Sequence, residues 1–186
     1  MTRTELWCAS QTDELVLRDG DANDAAAIAA IYNQAVRAGG STMDSAEKSE
    51  EDMRALIRGL HEREVVLILE RGGEVLGWGL VKRYSDRLGY RVACETSVYL
   101  RFAHRRKGYG STLKKALFER CRHFGYHHIV AKVFADNQAS IGYNRKLGFE
   151  VVGVQKEVGF ANGRWHDVVI MQLILDDVPP YRPELG

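Results

Sequence analysis

Val98-Tyr99-Leu100-Arg101-Phe102-Ala103-His104-Arg105-Arg106-Lys107-Gly108-Tyr109-Gly110-Ser111 joins an apolar run to a group of bases, two glycines and a helix-forming stretch. That order of residue types suits a phosphate. Glycines let the backbone approach closely, the first helical N–H groups lack partners in their own helix, and the helix dipole favours negative charge there. A dinucleotide fingerprint would need a third glycine where Leu113 stands, and a P-loop would close on Gly-Lys-Ser/Thr, so neither of those sites fits. Glu95, just ahead of the basic segment, is a carboxylate that could act as a base; its plain alternative is an ion pair with Arg91 or a neighbouring strand. Cys121, His123, His127 and His128 crowd together. They straddle a helix end, a turn and a strand start without the paired spacing of a zinc site, so no metal is expected.

Elements must hold these groups, and the periodicities give their order. Residues 15–18 read as a strand, and Ile28, Ile31, Tyr32 and Ala35 recur at helical spacing behind candidate caps Asn23 and Asp24. Ser49-Glu50-Glu51-Asp52 opens a second helix like a capping box, with Met53, Leu56, Ile57 and Leu60 on one face. Residues 65–70 and 74–82 flank Arg71-Gly72-Gly73 as a hairpin, and residues 93–100 continue the sheet. Leu113, Ala116, Leu117, Cys121 and Phe124 stripe a helix ending at Gly125. A strand over 128–134 and a helix over 138–147, stopped by Gly148, come next. Residues 149–158 then pair with 165–175 across Phe160-Ala161-Asn162-Gly163. The order is β-α-α-β-β-β-α-β-α-β-β, an α/β (α+β) chain.

The 186 residues suit one domain, residues 1–186, with an extension over 1–14 and a tail over 176–186 that carries Pro179, Pro180 and Pro183. At 45% hydrophobic and 27% charged, the composition is globular, and a net charge of +1 argues against a nucleic-acid surface. The apolar runs are too short to span a membrane. Residues 1–10 lack a signal-peptide core, and Cys8, Cys94 and Cys121 show no disulfide spacing, so a cytoplasmic location is expected.

Arg105-x-x-Gly108-x-Gly110, placed after the fourth strand, resembles the acyl-CoA pyrophosphate loop of the GCN5-related N-acetyltransferases, whose element order is similar throughout. Asn137-Gln138-Ala139-Ser140-Ile141-Gly142-Tyr143-Asn144-Arg145-Lys146-Leu147-Gly148-Phe149 resembles a second block of that family. The resemblance implies a single domain with a central mixed, mostly antiparallel sheet flanked by helices, and acetyl-CoA as cosubstrate. It would place the cofactor along Val98, Tyr99 and Leu100, and on Arg105, Arg106, Lys107, Gly108, Tyr109, Gly110 and Ser111. Asn137 would hold the pantetheine arm, with Ser140 beside it, and Arg145 or Lys146 would meet phosphates. A solvated last turn complementing the helix dipole is the alternative for those two cations.

Gly77-Trp78, the segment from Arg83 to Tyr90, Glu95 to Tyr99, Gly163 to Asp167, and Tyr32-Asn33 are similar to the phosphinothricin and methionine sulfone/sulfoximine acetyltransferases, over residues 15–175. That branch implies acetylation of the α-amino group of a small amino acid by direct attack in a ternary complex, with Glu95 as base. Arg87 and Tyr90, facing Tyr32 and Asn33, would hold the acceptor, with Arg83 next in line. A homodimer is implied, with no nucleic-acid or membrane partner, and Trp165 and His166 would close the core or a dimer contact. Asn144 departs from the pattern: the family carries tyrosine there, and this branch histidine, to reprotonate the departing thiolate. An amide donates a hydrogen bond but no proton at neutral pH, leaving Asn144 as a stabiliser and water or Tyr143 as the acid. Tyr143, about 100° around the helix from Asn144, is expected to pack away from the sulfur. Two other readings share these motifs: a transferase for protein N-termini, and a CoA-binding sensor without turnover.

Overall fold

The computed structural model describes residues 14–179, so Cys8, Pro180 and Pro183 lie outside the described residues. The elements are β1 (Leu15–Asp19), α1 (Ala25–Ala38), α2 (Glu50–Arg58), β2 (Val65–Arg71), β3 (Glu74–Arg83), β4 (Ala93–Leu100), α3 (Tyr109–His123), β5 (His128–Phe134), α4 (Gln138–Lys146), β6 (Glu150–Ala161) and β7 (Arg164–Ile174). This is the order expected from the sequence. The strands form one seven-stranded sheet, β1-β2-β3-β4-β5-β7-β6, in which only β4 and β5 run parallel.

Helices cover both faces of the sheet, which is why Val65, Val66, Leu67, Ile68 and Leu69 of β2 are all buried and the strand reads as a continuous apolar run. On one face Leu113, Leu117 and Cys121 of α3, with Ile141 of α4, pack against Leu67, Leu69 and Val81. On the other, Ile28, Ile31 and Tyr32 of α1 and Met53 of α2 pack against Val66, Ile68 and Trp78. Burying side chains of this size stabilises by roughly 1.5–3 kcal/mol each, so the two clusters fix where the helices sit.

Helix starts and turns differ locally from the sequence reading. The segment leading into α1 is capped by Asp21, whose carboxylate accepts from the Asn23 amide, ahead of a single 3-10 turn; Asp24 is buried instead on Arg18. The Ser49–Asp52 capping box does open α2, and Leu60 falls beyond its end. The last hairpin turns on Asn162 and Gly163 alone, with φ of 51° and 75°, so Phe160 and Ala161 belong to β6. Two positive φ values in succession match the twist of the strands, and Asn-Gly tolerates both.

The sheet opens where chemistry needs space. β4 and β5 pair only over Ala93–Glu95 and His128–Val130, after which they diverge. From Thr96 on, β4 stays bonded to β3, and its opposite edge has no strand partner among the described residues. β6 contributes a bulge facing this opening: its register slips between Gln155 and Gly159, and Glu157 takes a φ of 49° while its amide donates to Asp167.

Candidate active site

The opening between β4 and β5 is a cleft of about 420 Å³. Its walls include Glu95, Thr96, Ser97 and Tyr99 of β4, Val130, Lys132 and Phe134 of β5, and Gln155 and Val158 from the β6 bulge, with Thr42 and Met43 arriving from the α1–α2 connection. Glu95 stands at the apex, where the strands part. Its carboxylate accepts from the Lys132 ammonium at 2.5 Å, so the strand-borne ion pair weighed from sequence is present, with Lys132 as its partner in place of Arg91.

One end of the cleft leads to α3. Gly108 caps that helix with φ of 85°, a left-handed conformation cheap only for glycine, and Arg106 before it sits at φ of 63°. The amides of Tyr109 and Gly110 begin the helix and have no preceding turn to bond. Arg106 and Lys107 are exposed, and among the described residues neither forms an ion pair. Arg105 lies over the Phe102 ring at 3.5 Å. A Cβ on Gly110 would come within 3.4 Å of the Tyr143 hydroxyl and 3.5 Å of Leu100, so the turn is closed on one side and open on the other. Leu100, at the end of the β4 edge that β5 leaves free, lies beside Gly110, so the edge adjoins the cation-flanked turn, and free amides next to cations suit a diphosphate.

Helix α4 borders this turn. Asn137 caps it, accepting from the Ser140 amide at 3.0 Å, and its Nδ2 donates to Gly40 at 3.1 Å. Asn144 is 4% exposed; its Nδ2 donates back to the Ser140 carbonyl, and its buried Oδ1 has no hydrogen-bond partner among the described residues. Tyr143 projects toward the start of α3, and burial pushes its hydroxyl up to about 12. Its hydroxyl lies beside Gly110 in the α3 turn. Arg145 and Lys146 are exposed in the last turn.

A second wall is built by α1, α2 and the same β4 residues. The Tyr32 hydroxyl donates to Asp44 at 2.6 Å and lies 2.6 Å from Thr42 Oγ1, and burial pushes it up to about 12. Its ring meets Tyr99 edge-on, and Tyr99 stacks on Trp78. A second cavity of about 310 Å³ reaches from this cluster under Lys48, Asp52, Met53 and Leu56, and shares Ser97 and Tyr99 with the cleft. Asn33 spends its amide on the backbone of Lys48, donating at 2.8 Å and accepting at 2.9 Å, so it positions the α1–α2 connection from inside the core.

Arg87 and Tyr90 stand outside the cleft walls, exposed on the β3–β4 loop. Tyr90 packs on Tyr84, and Tyr84 lies under the Lys132 ammonium at 6.0 Å, which brings the loop to the Glu95 end of the opening. Arg83 is tied to Glu64 and Asp86. Trp165 is 62% exposed, whereas His166 is buried, stacked on Phe134 and bonded to the Ala161 carbonyl. Sequence reasoning missed Thr42, Met43, Asp44, Lys132, Gln155 and Val158, because a loop and a bulge carry no periodicity that points inward. Lys132 alone left a signal, a charged residue alternating with Val130 and Phe134 on a strand that is otherwise apolar past His128.

Residues 17–170 match the family model described as an acetyltransferase (GNAT) domain. The chain is 38% identical over 165 residues to the L-methionine sulfoximine/L-methionine sulfone acetyltransferase of Pseudomonas aeruginosa, covering 86% of this chain and 94% of that protein. It is 35% identical to the phosphinothricin N-acetyltransferase of Alcaligenes faecalis, covering 91% and 85%. A GNAT superfamily phosphinothricin acetyltransferase of Sinorhizobium meliloti, solved in complex with acetyl-CoA, superposes with a TM-score of 0.84 at 31% identity, covering 92% of this chain and 94% of that one.

Proposed function

Since the chain belongs to the GNAT acetyltransferase family, we propose that it transfers acetyl from acetyl-CoA to the α-amino group of a small free amino acid of the methionine sulfone, methionine sulfoximine or phosphinothricin type. The observation that carries this reading is the cleft itself: a carboxylate at its apex, an unpaired strand edge along one side, and a glycine turn with two exposed cations at its end. Acetyl-CoA supplies the activated acetyl group. The chain's own residues bind, orient and manage protons. The turn at Gly108 to Ser111 receives the diphosphate, aided by Arg105, Arg106 and Lys107, and the β4 edge aligns the pantetheine arm. An α-ammonium with pKa of about 8 or above must lose a proton before it can attack, and Glu95 accepts it directly or through water, with Lys132 holding the carboxylate in place. Tyr32 and Tyr99 wall the acceptor side, while Arg87 and Tyr90 supply the cation and aromatic surface at the rim.

The protein works in the cytoplasm as a homodimer, on small molecules and away from nucleic acid and membrane. Support for the dimer comes from the edge strand β6 and its neighbour β7, where Val152, Val158, Phe160 and Trp165 are all more than half exposed. A long apolar edge is a self-association surface unless covered. Sedimentation should give twice the chain mass, and Trp165→Glu should shift it toward the monomer.

The deciding assay is thiol release from acetyl-CoA with a panel of amino acids and a short peptide. Turnover with methionine sulfone, methionine sulfoximine or phosphinothricin is expected. Turnover confined to the peptide would make the chain a protein N-terminal transferase, and CoA binding without turnover on any amine would make it a sensor.

A further inference from the structure

Lys114 is a lysine in the core that the reaction as described leaves without a task. It lies on the inner face of α3 and is 3% exposed. No carboxylate pairs with it among the described residues. Its Nζ donates to Thr96 twice, at 2.8 Å to Oγ1 and 3.3 Å to the carbonyl, and lies 5.1 Å from the Phe149 ring. An isolated buried cation is costly, and an apolar residue of the same length would normally serve a core better. Thr96, its partner, is the first β4 residue past the last β4–β5 pair and forms part of the cleft wall. A hydroxyl that accepts from an ammonium keeps its own hydrogen to donate elsewhere. Lys114 thus donates to a residue of the cleft wall from beneath the sheet, on the face opposite the Tyr32 and Asp44 cluster, and leaves the Thr96 hydroxyl hydrogen available for a group in the cleft. Meanwhile the position on α4 that would hold an acid is Asn144, whose amide is turned back on its own helix.

We propose that Lys114, acting through the Thr96 hydroxyl, protonates the departing CoA thiolate. This inference rests on the acetyl-transfer reading. In the step, the amine nitrogen bonds to the carbonyl carbon and the C–S bond breaks with its electron pair left on sulfur. Glu95 has taken the first ammonium proton before attack, and the second, shed as the new amide forms, passes to water. Sulfur takes the Thr96 hydroxyl proton, the hydroxyl is refilled from Lys114, and Lys114 regains a proton from solvent as the products leave. Burial brings the Lys114 ammonium down to about 8, close to the ~8.5 of a cysteine-like thiol, so the two groups can exchange a proton at little cost. The titratable groups facing Lys114 are the thiols of Cys94 on β4 and Cys121 on α3, each free and buried.

The test titrates the thiol of CoA bound to the protein, followed by thiolate ultraviolet absorbance, in wild type, Lys114→Met and Thr96→Val. A nearby cation should lower the midpoint of the bound thiol, and each variant should raise it by about one unit, with Thr96→Ser restoring it. The kcat–pH profile of wild type should fall on the alkaline side as Lys114 loses its proton, and Lys114→Met should have lower kcat without that fall. A merely structural lysine would change melting temperature and leave both titrations in place. Unmoved thiol midpoints in the two variants, with CoA affinity retained, would overturn the relay; should either variant fail to fold, the other decides. The thiol titration needs no acceptor, so a wild type that acetylates nothing defeats the acetyl-transfer reading while the relay is still judged by the bound thiol.

Discussion

At the scale of single residues, the division of labour is one of proton handling against anchoring. Glu95 and Lys132 meet across the last point at which β4 and β5 touch, so Glu95 has a neighbour that holds it and an opening that exposes it to the acceptor. Glu95→Gln keeps the shape and removes the carboxylate that the proposed reaction uses as its base. Turnover at neutral pH should fall about 100-fold or more with the CoA dissociation constant nearly unchanged; a loss of only a few-fold would remove Glu95 from the role. On the proposed reading Arg87 serves binding. Its guanidinium has no ion pair among the described residues, and Arg87→Ala should raise acceptor KM by a factor corresponding to about 2 kcal/mol, with kcat little changed. Tyr143 shows how a shift of one helical position redirects a side chain: its hydroxyl lies against Gly110, far round α4 from Asn144. Tyr143→Phe should therefore stay active, and a large loss of turnover with CoA affinity intact would move the acid to Tyr143.

Among the elements, the start of α3 and the α1–α2 connection decide what the cleft can hold. The first depends on Gly108, which takes a conformation that other residues resist, and on Tyr143 and Leu100, which close in behind Gly110. Gly110→Asp inserts an anion where a diphosphate should sit, and calorimetry should show CoA affinity falling at least about tenfold; unchanged affinity would place the diphosphate elsewhere. The connection is held from four directions. Asn33 binds the Lys48 backbone, Asn137 binds Gly40, Met43 packs on Gly159 so tightly that a Cβ there would reach its sulfur at 2.6 Å, and Tyr32 binds Thr42 and Asp44. Asn33→Ala removes two hydrogen bonds to the Lys48 backbone. It should cost about 2 kcal/mol of stability and raise acceptor KM, since Thr42 and Met43 would lose their fixed place in the cleft wall.

At the scale of the whole molecule, an ion-pair cluster joins β1 to the approach to α1 and gives the fold a pH dependence. The buried Asp24 carboxylate is held below its usual range by Arg18, which also bonds Glu70. A depressed carboxyl contributes its full stabilisation above its unfolded value of about 4 and loses it as pH falls through the lowered one. Asp24→Asn should thus be less stable than wild type by about 2 kcal/mol at neutral pH, and denaturant melts should show that gap closing below about pH 4. The order of elements, the hairpin at Gly72 and Gly73, the capping box at Ser49, the glycine turn before α3 and the family itself were legible in the sequence, because each is fixed by neighbours within a few positions. Periodicity, cap chemistry and positive-φ glycines are local physics. The strand order, the parting of β4 from β5 after Glu95, the choice of Lys132 as its partner, the inward turn of residues 42–44 and the seat of Lys114 beneath Thr96 came only with the tertiary structure. Those features pair residues that lie from about 20 to over 100 positions apart, and which distant group ends beside which is decided by how two apolar faces pack against one twisted sheet, which no single stretch of chain encodes.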